Sequence, residues 1–120
     1  MRADKILSQN QSSGYTTDSW GNVLVNINII GHIQNPGTYL INENNHFLTT
    51  LATAGGTLPG AKLDQILLYR ENGKLVKIDL TNYLNKQKSI DIQFKPNDTI
   101  IIKQNFKLYL FSISPIVNVI

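Results

Sequence analysis

The stretch VLVNINIIGHIQNPGTYLINENNHFLTTLATAGG, residues 23–56, decides the fold, because it contains two predicted strands and the helix that follows them. Its first part alternates: Val23, Val25, Ile27 and Ile29 are separated by polar residues and one leucine. This period of two is typical of a strand with one buried face. Ile30 breaks the alternation just before Gly31, which predicts a bulge or a close backbone approach there.

A chain reversal is predicted at Gln34-Asn35-Pro36-Gly37. Proline presets φ for the first central position of a type II turn, and glycine accepts the positive φ of the second. The chain then returns as a second strand over residues 38–41.

A short helix is predicted to follow, capped by Asn44 or Asn45 and closed by Gly55 in the left-handed conformation. The apolar residues of this segment recur every three or four positions and so share one helical face. That face consists of Phe47, Leu48, Leu51, Ala52 and Ala54.

The second half of the chain predicts a β-hairpin and a central strand. The apolar runs 65–70 and 74–80 flank Glu71-Asn72-Gly73, and Asn-Gly between such runs is a strong hairpin signal. One helical turn is expected at 81–86 and a strand at 89–94. Pro96-Asn97-Asp98 predicts a turn, since Asn tolerates positive φ. The apolar strand 99–103 suits the centre of a sheet.

This element order predicts an α+β protein with the β-grasp arrangement, in which one main helix packs on a mixed β-sheet. The domain is expected to span residues 20–104, after a flexible leader at 1–19 and before an apolar segment at 105–120. The expected core residues are Leu48, Leu51, Ile66, Leu68, Ile78, Ile100 and Ile102.

Composition narrows the range of functions. The chain has 120 residues, a net charge of +3 and no cysteine, and its basic residues are scattered, so nucleic-acid binding is not expected. His32 and His46 lie in no metal-ligand spacing, and His32 is expected to be exposed. No acid and base pair or glycine-rich phosphate loop is present. We therefore expect neither catalytic residues, nor a metal site, nor a cofactor.

Several spaced motifs, which run in the same order, resemble the SLBB (soluble-ligand-binding β-grasp) domain of bacterial polysaccharide export proteins. They are INIIGHIQNPGTYLI, the helix end LATAGG, the strand ending in Arg70, and the closing FKPNDTIIIK. Asn97 stands where the family usually has glycine. The matching positions are Gly31, Pro36, Gly37, Tyr39, Leu51, Ala54, Gly55, Gly56, Arg70, Pro96, Asp98 and Ile100.

The resemblance implies a non-enzymatic module in the periplasm or cell envelope of a Gram-negative bacterium. Its implied partners are further copies of itself or other export-complex proteins, and a polysaccharide. Two alternatives stay open: a soluble-ligand-binding domain for a glycan or small molecule, and a component of competence DNA uptake. Similar domains also occur in a respiratory-complex subunit, so the domain alone does not fix the ligand.

Two sets of residues are candidates for contacts with partners, one near the predicted strands and one in the segment 105–120. Aromatic and basic side chains near the predicted strands are candidates for glycan or protein contact: Trp20, Tyr39, Tyr69, Arg70 and Lys74. Alternatively, Arg70, Lys74 and Lys77 are solvated charges that protect a hairpin edge.

The segment 105–120 is too short to span a bilayer and is interrupted by Pro115. It is nevertheless strongly apolar, so we expect it to dock on a partner or to begin a membrane anchor rather than fold back on its own domain. The residues expected to make these contacts are Leu108, Phe111, Ile113, Ile116 and Val117.

Overall fold

The computed structural model describes residues 14–82 and 92–105, and these form one mixed sheet of six strands with a seven-residue helix. The α+β class predicted from the sequence is confirmed. The elements, in chain order, are β1 (Tyr15–Thr17), β2 (Val23–Gly31), β3 (Gly37–Asn42), α1 (Phe47–Thr53), β4 (Ile66–Tyr69), β5 (Leu75–Ile78) and β6 (Asp98–Ile102).

Strand β2 organises the sheet, because it pairs with three other strands. Along one edge it pairs antiparallel with β3, and along the other it pairs first with β1 and then, in parallel, with β6. The sheet continues from β6 to β4 and from β4 to β5 through antiparallel pairs. The prediction that the apolar strand near residue 100 is central is therefore confirmed.

One face of the sheet carries the core. Side chains alternate along each strand, and paired residues share a face, so Ile27, Ile29 and Ile100 lie on the same side as Leu68. These residues form one buried cluster with Phe47 and Leu51 of α1. The predicted core is confirmed except for Leu48, which is only partly buried.

The end of α1 confirms its predicted glycine stop. Gly55 has a φ of +85°, its amide donates to the Ala52 carbonyl, and the Gly56 amide donates to the Leu51 carbonyl. These two bonds are those of a Schellman motif. The predicted start is wrong: His46 is the N-cap residue and its side chain makes no capping hydrogen bond. The apolar face is also narrower than predicted, because Ala52 is exposed.

The type II turn predicted before β3 is also wrong, because Gly37 does not have positive φ. Gly37 already belongs to β3, opposite Ile29. The chain reverses earlier, where the Gln34 and Asn35 amides donate to the carbonyls of Gly56 and Ala54, each over 2.9 Å. The end of the helix thus supplies the acceptors that a tight turn would have supplied locally.

Gly31 confirms the predicted close backbone approach. Its φ is +96°, and a Cβ atom at this position would overlap the carbonyl oxygen of Ile102 on β6. The next amide, that of His32, donates to that same oxygen over 2.7 Å. Only a residue without a side chain lets β2 and β6 pair so closely here.

The hairpin of β4 and β5 is confirmed, with Tyr69 opposite Leu75 and a Gly73 amide that donates to the Arg70 carbonyl over 3.0 Å. The turn before β6 is confirmed as well, since Asn97 has a φ of +64°.

The strand predicted for 89–94 is absent from residues 92–94, the part of it that the structure describes. Phe94 instead enters the core, where its ring stacks on Phe47 at a centroid distance of 6.3 Å. Its amide donates to the Glu43 carbonyl over 2.9 Å, so this backbone joins the segment before α1 rather than the sheet.

The predicted leader differs from the structure at Tyr15–Thr17, which form β1 opposite Val23–Val25. The three residues of β1 have little apolar content and gave no periodic signal in the sequence. They are held in place by pairing with β2 rather than by burial. Residues 80–82 are helical, whereas the rest of the turn predicted at 81–86 and the apolar segment 106–120 lie outside the described residues. Within the described ranges, no helix combines the length and apolar composition needed to cross a membrane.

Candidate functional site

An open cleft of about 480 Å³ lies at one end of the face that carries the core. Its walls come from β1, from the β4–β5 hairpin loop and from the turn before β6. The lining residues are Tyr15, Arg70, Glu71, Asn72, Lys74, Lys95, Pro96 and Asp98.

Sheet register explains why these residues meet. Tyr15 on β1 is opposite Val25 and Asp98 on β6 is opposite Ile27, so both point to the core side of β2 two residues apart. Arg70 follows the outward-facing Tyr69, and alternation turns its side chain to the core side. Strands β1, β4, β5 and β6 each have one end here, and polar side chains are therefore concentrated at one end of the face.

Asp98 and Arg70 form the ion pair at the base of the cleft. Arg70 Nη1 donates to Asp98 Oδ2 over 2.7 Å and to the Gln93 carbonyl over 3.0 Å. The Lys95 amide also donates to Asp98 Oδ2, over 2.8 Å. The side chain of Arg70 is 15% exposed and that of Asp98 is fully buried. The pair therefore joins the hairpin to the turn before β6.

Burial raises the pKa of the Asp98 carboxyl above its ordinary value, although the Lys95 amide and the Arg70 guanidinium both act to lower that pKa. Its second oxygen, Oδ1, has no hydrogen-bond partner among the described residues. An ionised carboxylate that has one unpaired oxygen away from water is less stable than a fully hydrogen-bonded one.

The rim of the cleft is held by local hydrogen bonds. The Lys74 amide donates to Asn72 Oδ1 over 2.9 Å, which fixes the hairpin loop. Asn97 Nδ2 donates to Glu71 Oε2 over 3.2 Å and so links this loop to the turn before β6. Lys74 and Lys95 are both exposed at the rim.

Only two of the predicted contact residues line the cleft, Arg70 and Lys74. Trp20 is 87% exposed and is not among the lining residues, and Tyr69 lies on the opposite face of the sheet at 48% exposure. Tyr39 packs against the core, and its hydroxyl donates to the Asn35 carbonyl. The interpretation of Arg70 as a solvated edge charge is wrong, because it is ion-paired and mostly buried.

The positions that carried the resemblance lie mainly in the framework. Leu51 and Ala54 are buried, Gly55 and Gly56 end α1, Gly31 meets β6, and Pro36 and Gly37 lead into β3. Arg70, Pro96 and Asp98 lie together in the cleft.

The face of the sheet opposite α1 exposes apolar side chains. Ile30, Tyr69 and Leu75 are 43%, 48% and 44% exposed. Ile101 is opposite both Ile30 and Leu67 on neighbouring strands. The side chains of Ile30, Ile101 and Leu67 therefore form a row across β2, β6 and β4. Flat apolar areas of this kind are typical of protein contact surfaces.

The two histidines lie apart from the cleft lining. His32 is half-buried rather than exposed, and its Nε2 lies 2.7 Å from the Pro59 carbonyl oxygen. Among the described residues, no group of three or more metal-ligating side chains is close enough to hold a metal ion. The candidate membrane or oligomer contacts from Leu108 to Val117 lie outside the described residues.

Six cleft residues escaped the sequence analysis as contact candidates, two of them, Pro96 and Asp98, having been identified only as positions of the family motif. The other four are Tyr15, Glu71, Asn72 and Lys95. The Asn-Gly hairpin signal located two of them, but nothing in it indicated a ligand. Tyr15 gave no signal because β1 is recognisable only once it is paired with β2.

Comparison with known families gives one match. The family model described as the SLBB domain matches residues 25–102, which is most of the described chain. No curated protein matches the sequence.

Proposed function

Because the chain belongs to the SLBB domain family, we propose that it is a non-catalytic module of a bacterial polysaccharide export system that binds glycan in the cleft beside Arg70 and Asp98. The observation that carries this proposal is the cleft itself. A volume of about 480 Å³ falls within the range of small-molecule sites.

The architecture fits the β-grasp that the name of the domain describes. Without β1, the strand order across the sheet is β3-β2-β6-β4-β5. Of these five strands, β2 comes first and β6 last in the chain, and the two are parallel neighbours within the sheet. α1 packs on one face of this sheet. We assign the fold to the β-grasp on this order, with β1 as an addition beside β2.

The lining of the cleft suits saccharides. It combines a tyrosine ring with amide, carboxylate and cationic groups, and a sugar presents both apolar ring faces and hydroxyl groups that donate and accept hydrogen bonds. The base of the cleft is preorganised by the Arg70–Asp98 pair, which lowers the entropic cost of binding. Such a site binds and orients a ligand and needs no chemical step.

DNA uptake is the weaker alternative. A surface that follows a phosphate backbone requires a continuous row of cations. The cleft instead has mixed charge, because the carboxylates of Glu71 and Asp98 line it together with the cations of Arg70, Lys74 and Lys95.

The proposal also covers location and partners. We place the protein in the periplasm or cell envelope, in contact with further copies of itself or with other export proteins. The apolar face at Ile30, Tyr69 and Leu75 supports the protein-contact part, since it offers a contact area separate from the cleft.

The test is an amide chemical-shift titration of the full chain with a panel of neutral and acidic oligosaccharides and with a single-stranded oligonucleotide. We expect saccharides to shift the amides of residues 71–74, 95, 97 and 98, and Asn72→Ala to weaken that binding. Leu40→Ala, on the exposed outer face of β3, is the matched control. Shifts caused by the oligonucleotide alone would overturn the glycan assignment in favour of DNA.

A further inference from the structure

We infer that the cleft selects saccharides that carry a carboxylate, such as uronic acids, over neutral saccharides of the same shape. This inference rests on the proposed glycan binding and adds the ligand class. It depends on which charges in the cleft already have partners.

The two carboxylates of the cleft are already engaged. Asp98 accepts from the Arg70 guanidinium and from the Lys95 amide through Oδ2. Glu71 accepts from the side-chain amide of Asn97. Both acids thus hold parts of the protein together, and Asp98 is closed to solvent.

The cations retain donors for a ligand. Within residues 14–82 and 92–105, the ammonium groups of Lys74 and Lys95 have neither a hydrogen-bonded acceptor nor an ion-pair partner. Among the same residues, Arg70 makes both of its side-chain hydrogen bonds through Nη1, so that Nε and Nη2 have no acceptor there. The charged side chains of the cleft that have no partner within these residues, Lys74 and Lys95, are therefore both cationic.

The geometry favours a carboxylate over a longer polyanion. A guanidinium edge matches the two oxygens of a carboxylate, and flanking ammonium groups reach the same oxygens as mobile point charges. The three cations exceed the two carboxylates by one charge. One excess charge suits one acidic group in the cleft, with Tyr15 beside it for a sugar ring.

The test compares a trimer that carries one galacturonic acid residue with the methyl ester of the same trimer, because the two have the same sugar backbone and differ by one charge. Binding to the full chain is followed by amide chemical shifts and calorimetry at low and at physiological salt. We expect the acid to bind about tenfold more tightly than the ester, and the difference to shrink as salt screens the charges.

Variants locate the selectivity. Lys74→Gln and Lys95→Gln remove exposed charges and are expected each to reduce the ratio of acid to ester affinity by about threefold or more, with little change for the ester. Lys77→Gln is the matched control, since Lys77 is exposed on β5 opposite Leu67 and does not line the cleft.

Three other outcomes would overturn the inference, and one of them would overturn the proposed function as well. Equal affinities of acid and ester at the cleft would overturn the charge selectivity and leave the proposed glycan binding standing. Absence of binding by both trimers and by the wider panel would overturn both. Inorganic phosphate that displaces the acid at equal concentration would show a general anion site and would also overturn the inference.

Discussion

Asp98 both stabilises the fold and lies in the candidate site. It begins β6, it is fully buried, and it joins the hairpin to the turn before β6 through Arg70 and the Lys95 amide. Breaking such a pair from one side leaves an uncompensated charge and is more damaging than replacing both partners. The same contacts that hold the hairpin to the sheet thus present Arg70 to the cleft.

The pH dependence of stability is expected to carry opposite contributions from Asp98 and Asp18. Burial raises the pKa of Asp98, so its stabilising contribution is full below the unfolded value of about 4 and falls as pH rises through the folded value. The side-chain hydrogen bond from Asn22 lowers the pKa of Asp18, so its contribution is present above about 4 and is lost as pH falls through the folded value.

The measurement is the free energy of unfolding from acid to neutral pH for three proteins. Asp18→Asn is expected to reduce the loss of stability in acid, and Asp98→Asn to remove part of the fall above about pH 4, whatever its overall destabilisation. A steeper fall in the Asp98 variant would contradict this assignment.

The close approach of Gly31 to β6 makes this position sensitive to substitution. Gly31→Ala is expected to destabilise the protein by more than about 2 kcal/mol, because the added Cβ combines an unfavourable φ with overlap of the Ile102 carbonyl. Gly21→Ala is the control: it has a similar φ of +83° but nothing within 4 Å, and about 1 kcal/mol is expected. Chemical denaturation measures both, and equal costs would show that the close approach to β6 contributes nothing.

Helix α1 depends on its contacts with the rest of the protein. Its seven residues are too few for a stable isolated helix, so tertiary packing must hold it. Packing comes from Phe47, Thr50 and Leu51 on the buried side. At the end of the helix, the Gly56 carbonyl accepts the Gln34 amide and the Ala54 carbonyl accepts the Asn35 amide. The helix therefore fixes the β2–β3 connection as well as covering the core.

Leu51→Ala is expected to cost about 2 to 5 kcal/mol, because it opens a cavity between α1 and the sheet. Leu40→Ala is the matched control at a side chain that is 51% exposed on β3, and a change within about 0.5 kcal/mol is expected. Urea or guanidinium unfolding of both variants makes the comparison. Similar losses in the two would contradict the packing of α1 described above.

The molecule as a whole presents two separate surfaces, a mixed-charge cleft on the core side and an apolar area on the opposite side. The proposed ligand binding and the proposed protein association can therefore be altered independently. The chain continues past Asn105, whose amide donates to the Gly60 carbonyl, toward the apolar segment 106–120.

Deletion of residues 106–120 is expected to reduce association or membrane partitioning and to leave the melting temperature nearly unchanged. The reason is that an apolar segment that docks on a partner contributes to assembly rather than to the domain core. Light scattering, vesicle flotation and thermal unfolding measure the three properties. A much lower melting temperature with unchanged association would show that the segment belongs to the core.

The sequence by itself determined the local elements. Alternation in β2, the Asn-Gly hairpin, positive φ at Asn97 and the glycine stop of α1 follow from the chemistry of neighbouring residues. The apolar run at β6 even indicated its central position.

Only the tertiary structure decided which distant residues meet. β1 has no pattern of its own and exists because β2 offers unpaired backbone groups beside it. Phe94 reads as part of an alternating strand, but its burial against Phe47 outweighed that local pattern. Arg70 and Asp98 are 28 residues apart in the chain, and their contact depends on the antiparallel register of β4 and β6. Periodicity reports the face on which a residue lies, whereas pairing between strands fixes its neighbour, so the cleft emerges only when the whole sheet is assembled.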